Sequence, residues 1–338
     1  MDQLRHDKRG PGHQGGSALV VTLLVFAIGM ALIVPMYSEY TLYLRRHSNT
    51  FNAEQAYAYL RGGEDLAALL LREDLLEDER EGVVRDDFSE VWAQQVPPYA
   101  LDEGGWLTGR LVDLSGRFNI NSLAGRAPQN QRFSAYQEQF IRLLQTLEEP
   151  LVDEQDAILI TESVMDWLDA DSQPRDFGAE DDHYYDVTPS YRTANRAMVS
   201  VSELQAVAYV TPEIYLAIEP LLTVWTEDLK INVNTAPVQV LRSLNSKSDL
   251  QPLSPQEGET LLELRGEEGF ENPAAMLESS VFEGRELSEE LSNSLVETSA
   301  WFLFIAQVDV ADRISHLYSV LHRQQGGVLA VVRASGSL

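Results

Sequence analysis

Cysteine is absent from the 338 residues. That excludes a disulfide framework, a thiolate zinc centre and a cysteine nucleophile, and it leaves the compartment open. Basic residues are scarce: 25 Lys and Arg face 53 Asp and Glu, a net charge of −28 at pH 7. Binding a phosphate backbone needs clustered cations that release counterions, so this balance argues against a nucleic-acid partner. It is compatible with hard cations such as calcium, and equally with plain solubility through self-repulsion. Catalytic signatures are missing too. There is no G-x-S-x-G, P-loop, G-x-G-x-x-G or H-E-x-x-H. His183 lies among acids with no second histidine near it in sequence, and His316 and His322 share a face with Ile314, Tyr318 and Val320 in a β-type run. They read as packed or edge histidines. A membrane-tethered metallohydrolase is the weaker reading, and a non-enzymatic protein the stronger.

Charge is also absent along one stretch. Between Arg9 and Glu39 there is no Lys, Arg, Asp or Glu, and Ala18 to Met36 is apolar except at Thr22, Gly29 and Pro35. A helix of about 20 apolar residues spans a bilayer. Arg5, Lys8 and Arg9 precede the block, and the positive-inside tendency puts that end in the cytoplasm and the remainder outside. A secretory signal would be shorter and end in an A-x-A site. Here small residues, Gly15 and Gly16, come before the block. The segment after it places Ala53, Ala56, Tyr57 and Leu60 on one helical face.

The exported part changes character along its length. Residues 76–105 are acidic and turn-rich. Residues 106–125 alternate and contain Ser115-Gly116, which predicts a strand or hairpin. Phe133, Tyr136, Phe140, Leu143, Leu144 and Leu147 form a helical stripe, and Ile158, Ile160, Val164, Trp167 and Leu168 a second apolar segment. Ser200-x-x-Glu203 predicts a capping box. Ser254-Pro255 and Asn272-Pro273 predict N-cap and first-turn pairs, with Gly266 closing the first of those helices. Residues 301–310, 313–323 and 328–333 are β-type runs that predict an antiparallel meander. Strands on both sides of a helical block imply a helical domain inserted into a small α/β unit.

Two polar motifs stand out. Residues 165–204 hold Asp166, Asp169, Asp171, Asp176, Glu180, Asp181, Asp182 and Asp186. Such a loop is either solvated or bridged by a hard cation. Asp169, Asp171 and Glu180 match the first, third and twelfth places of an EF-hand, but Pro174 stands where that loop needs glycine, so it is not an EF-hand. The stretch "INVNTAPVQVL" (231–241) with "GETLLELRGEEGF" resembles helix-hairpin-helix repeats. A competence-type DNA-uptake protein is therefore the rival class. The glycine pair is missing, however, and Glu257, Glu259, Glu263, Glu267 and Glu268 oppose phosphate. Asn232, Asn234 and Thr235 are expected to satisfy turn and helix-start amides.

The basic leader, glycine pair and apolar helix resemble a type IV prepilin leader. That likeness implies cleavage by a prepilin peptidase between Gly16 and Ser17, with a cut between Gly15 and Gly16 left open, and methylation of the new N-terminus. Most pilins carry Glu at the fifth mature position, where this chain has Val21. That Glu pairs with the amine of the subunit ahead, which a tip subunit lacks. "DLSGRFNINSL", "DWLDADSQPRDFGAEDDHYY", "YRTANRAMVSVSEL" and "INVNTAPVQVL" occur in this order in the K-type minor pseudopilins of the type II secretion system. With the leader, the resemblance covers essentially the whole chain. It implies an α+β fold: a leader (1–16), an N-terminal helix (17–72, with 17–36 transmembrane), the start of a pseudopilin α/β unit (73–125), an inserted mostly helical domain (126–298) and C-terminal antiparallel strands (299–338). It implies a subunit capping the pseudopilus tip, with I- and J-type minor pseudopilins, other pseudopilins and the inner-membrane assembly platform as partners. The expected location is the bacterial inner membrane, single-pass, with a periplasmic head. It also implies calcium in the head, carried here to Asp169, Asp171, Glu180 and Asp181.

Overall fold

The computed structural model describes residues 15–102, 104–225, 230–311 and 313–336. These form two compact units, residues 1–56 and 57–338. Of the expected leader, residues 1–14 lie outside the described part. Helix α1 (Gly15–Glu81) begins in the first unit and ends in the second. In the first, its apolar side chains from Leu19 to Met36 are exposed to whatever surrounds the helix. The helix is long and apolar enough to cross a membrane. Within it, the Thr22 hydroxyl donates back to the Ala18 and Leu19 carbonyls, as hydroxyls in apolar helices do. The helix runs to Glu81, beyond the 72 expected. It ends where Gly82, at φ +77°, accepts the left-handed turn that lets residues 82 and 83 donate to the Asp78 carbonyl.

In the second unit, α1 is followed by β1 (Tyr99–Ala100) and β2 (Trp106–Asp113). The chain then enters a block of short elements: β3 (Phe118–Asn119), α2 (Ala135–Leu144), α3 (Glu154–Leu168), α4 (Asp181–Tyr185), α5 (Pro212–Ile218), β4 (Leu222–Thr223), β5 (Ile231–Asn232), α6 (Val238–Arg242), α7 (Pro255–Arg265), α8 (Pro273–Leu277), α9 (Glu289–Ser294) and β6 (Leu295–Val296). It returns as β7 (Trp301–Val310), β8 (Arg313–Gln324) and β9 (Gly327–Ala334). The main sheet has the order β1-β2-β7-β8-β9, antiparallel throughout. Strands β2 and β7, far apart in sequence, pair from Trp106↔Asp309 to Asp113↔Phe302. The block is thus an insertion between two neighbouring strands. It has its own core, a single cluster running from Phe118 to Leu295, with Phe118 stacked on Phe140 at 5.4 Å.

Residues 106–125 do not make a hairpin. After β2 the chain turns at Ser115-Gly116, and β3 pairs in parallel with β4 instead. Asp113 marks the exit. Buried, it accepts from Thr235 and Ser299 hydroxyls and from the Ser115 amide at 2.7 Å. It thereby ties the last residue of β2 to the return segment before β7. Burial pushes its carboxyl up to about 6, against those hydrogen bonds. The Ser200 segment forms a 3-10 turn (Val201–Ala206), with Ser200 capping the Ser202 amide. Thr235 and Asn234 do not cap α6. Thr235 serves Asp113, while Asn234 holds both the N–H and C=O of Phe270. Helices α7 and α8 are capped by Ser254 and Asn272, with Pro at the first position.

Helix α1 lies on the sheet through Leu60, Ala67 and Leu71, all buried. Gly63 permits the approach, since a Cβ there would sit 3.3 Å from Phe304. Buried Glu64 interrupts this stripe. It accepts from Ser319 at 2.5 Å and from Arg333 Nε at 2.8 Å. Burial works to raise its carboxyl, but those donors and the Arg333 charge prevail and hold it below the usual range. Further along, Arg323 reaches Asp74 at 3.1 Å, Asp86, and the Ser299 carbonyl at 2.7 Å. Glu90 joins this acidic group. Burial first, then Asp86, raises Asp74 to about 7, and burial with the Asp86 and Asp74 charges raises Glu90 to about 9.

Candidate cation site

The acidic segment folds back over the end of α3. Asp153 caps the start of this helix through the Asp156 amide, and Asp169 ends it. Two buried carboxylates in its last turns hold the loop down. Glu162 accepts from the Phe177 amide at 2.8 Å and from Arg132 at 2.7 Å, and Asp166 accepts from the Arg175 amide at 3.1 Å and from its guanidinium. Gly178 makes the fold-back possible: a Cβ there would fall 1.9 Å from Asp166 Oδ2. Underneath, Trp167 meets Tyr184 and Tyr191 edge-on, and both hydroxyls bond backbone, Tyr184 accepting from the Ala208 amide and Tyr191 donating to the Ala206 carbonyl.

On this base, one carboxylate oxygen each from Asp169, Asp171 and Glu180 come within 4.8 Å of one another. Asp169 and Asp171 turn the chain locally by accepting from the amides of Asp171 and Gln173. Glu180 precedes α4 and is 4 % exposed. Its Oε2 accepts from the Thr193 hydroxyl at 3.1 Å, whereas Oε1 is buried with no hydrogen-bond partner. Burial raises the Glu180 carboxyl, and the charges of Asp166 and Asp169 add to that, against the Thr193 hydrogen bond. Arg175, bonded to Asp166 and at 2.6 Å to Asp169, is the guanidinium shared by this crowd of carboxylates. Asp181 is not one of the three. Its Oδ1 accepts from the Thr193 amide at 3.1 Å and hydroxyl at 3.0 Å, a brace beside the cluster. His183 is not in the cluster either and lies against Tyr184 and Tyr209.

The donor set fits a hard divalent cation. It is all oxygen, it carries surplus negative charge, and one buried oxygen has nothing to accept from. The sequence signal found Asp169, Asp171 and Glu180 but missed Arg175, Thr193 and Asn195, whose parts depend on the chain folding back. Asn195 donates its amide to the Asp171 carbonyl at 3.0 Å.

Residues 116–227 and 231–298 each match a family model described as type II secretion system (T2SS), protein K. The type II secretion system protein K of Pseudomonas aeruginosa is 34 % identical over 329 residues, 94 % of this chain and 92 % of the relative. That decides the family. The chain belongs to the type II secretion system protein K family. The Aeromonas hydrophila protein K is 30 % identical over 333 residues, covering 95 % of this chain and 96 % of its own. A chain in the crystal structure of the GspK-GspI-GspJ complex from enterotoxigenic Escherichia coli superposes with a TM-score of 0.73 at 22 % identity, over 87 % of this chain and all of that one. Over that span the fold is shared. The acidic cluster lies inside residues 116–227, so it sits in the inserted block of this protein K.

Proposed function

We propose that this protein K caps the tip of the pseudopilus and starts its assembly with I- and J-type minor pseudopilins, supporting export of folded proteins. One observation carries this reading: a large helical block with its own core is inserted between β2 and β7 of the sheet behind the long helix. Such bulk would crowd subunits stacked above it and meets none at the tip. The likeness to a structure of GspK in complex with GspI and GspJ supports those partners. Val21, in the place where most pilins carry Glu, supports a position with no subunit ahead. Small residues Ala18, Ala27 and Gly29 suit close packing of apolar helices in lipid.

The chain is cut between Gly16 and Ser17 by prepilin peptidase, anchors in the inner membrane by 17–36, and holds its head in the periplasm. Gly16 and Ser17 fall in the first turn of α1, both exposed. The head takes calcium at Asp169, Asp171 and Glu180. Co-expression with a prepilin peptidase followed by N-terminal mass analysis tests the class. A methylated Ser17 is expected, and a native chain still starting at Met1, or cut beyond Met36, overturns it. Cross-linking of the head to I- and J-type partners tests the tip role.

A further inference from the structure

Helix α1 changes composition where its apolar block ends. Met36 is followed by Tyr37, Tyr40 and Tyr43, all exposed, and then by Arg45 and Arg46, also exposed. In a chain with 53 acidic residues, residues 40–53 contain none. Further along the same helix arginines have carboxylate partners: Arg61 pairs with Glu64 and Asp65, and Arg72 with Glu73. Among the described residues no carboxylate pairs with Arg45 or Arg46. The Thr41 hydroxyl donates back to the Tyr37 carbonyl at 2.8 Å, so this turn needs no water to satisfy it. At about 1.5 Å per residue, the tyrosines stand roughly 1.5 to 10 Å past Met36 and the arginines about 14 Å. The polar layer on each side of the hydrocarbon is about 5–8 Å thick. Helical side chains lean toward the N-terminus, which here is the apolar block, and a long arginine stem carries its guanidinium back into that layer.

We propose that residues 37–46 of α1 form a collar that binds the headgroups of anionic phospholipid, with the tyrosines seated in the polar layer and Arg45 and Arg46 on lipid phosphate; this rests on the membrane anchor proposed above. The collar continues the apolar block directly, and tyrosine, apolar in its ring and polar at its tip, suits the boundary between hydrocarbon and water. Guanidinium takes phosphate through paired N–H···O bonds. The positive-inside tendency gives no reason for two arginines on the exported side, whereas a lipid ligand does. These features favour lipid over an acidic helix of another subunit. Glu39 is the one carboxylate within the collar. Set against the two arginines it leaves one net positive charge, a preference of about fivefold for an anionic over a zwitterionic lipid.

The chain has no cysteine of its own, so Ser38→Cys accepts a single fluorescent label just past the apolar block. Labelled full-length chain is placed in vesicles of equal parts phosphatidylcholine and phosphatidylglycerol, with quenching bromine on the acyl chains of one lipid or the other. Flotation with the vesicles checks the anchor. Brominated phosphatidylglycerol is expected to quench more, by a local enrichment of about fivefold that shrinks at high salt. Arg45→Gln with Arg46→Gln, compatible with the helix, is expected to float as before and to lose the preference. Arg45→Lys with Arg46→Lys keeps the charge and is expected to keep most of it. Equal quenching by the two lipids, or a preference that survives the double Gln variant, overturns the inference and leaves the anchor standing. So does equal quenching together with cross-linking to an I- or J-type partner that needs both arginines, which would assign the pair to an acidic helix. A chain that does not float overturns the anchor and the inference together.

Discussion

Single residues decide whether the acidic loop can lie where it does. Gly178 is one: its missing Cβ leaves the space that Asp166 Oδ2 fills. Gly178→Ala should lift the loop and cost about 1–3 kcal/mol, the usual range for overpacking. The readout is the denaturant midpoint, together with loss of any calcium-dependent rise. Asp74 and Glu90 carry a second residue-scale consequence. Both carboxyls are raised in the folded protein, to about 7 and about 9, while unfolded carboxyls titrate near 4. The folded state thus holds protons that the unfolded state has given up, so stability is full below about pH 4 on this account and falls as pH rises through 7 and 9. Glu90→Gln keeps an acceptor for the Trp92 N–H and should flatten the upper part of that fall, seen as unfolding midpoints that change less between pH 7 and 9. Equal slopes in variant and wild type would remove Glu90 from the account.

At the scale of elements, α1 is fixed to the sheet by one close approach and two polar ties. Gly63→Leu should push the helix off Phe304 and Leu107, again costing about 1–3 kcal/mol. Arg323→Met leaves Asp86 buried without its cation. Breaking such a pair from one side costs about 3–5 kcal/mol, and a fall of that size in urea unfolding is the expected result. Much of this architecture is legible in the chain. Period-two runs announce β7 to β9, the apolar stripe announces α2, and Ser254-Pro255 and Asn272-Pro273 mark the starts of α7 and α8. These are local signals, and local chemistry fixes them. What escapes is set by distant partners. Strands β3 to β6 are two residues each, paired only because the insertion folds back on itself. The α1 extension past 72 lacks apolar periodicity and is secured by Asp74 and Asp78, which bond Arg323 and the Arg85 amide. At the candidate cation site, the likeness of the acidic block singles out Asp169, Asp171, Glu180 and Asp181, and the fold brings together one oxygen each of the first three. Nothing in the spacing reveals that Thr193 and Asn195 return to them, or that Asp181 turns to Thr193.

At the scale of the whole molecule, the first unit carries the helix long and apolar enough to cross a membrane, and the acidic surplus lies after it. Val21→Glu would place a carboxylate in the apolar segment; at a tip position it has no amine ahead to meet, and burying it in lipid is costly. The expected result is less secreted exoprotein at unchanged total protein K, and unchanged secretion would argue for a shaft position. The pairing of Asp113 with Phe302 reaches further. It places the entry and exit of the inserted block side by side, so the sheet closes without regard to how long the excursion between them is. A tight two-residue hairpin could bridge that gap. The ladder of the sheet is thus continuous across the junction, but the block is also latched to it: Asp113 accepts from Thr235 inside the block and from Ser299 beyond it, so exchanging the block would leave a buried carboxylate short of a donor.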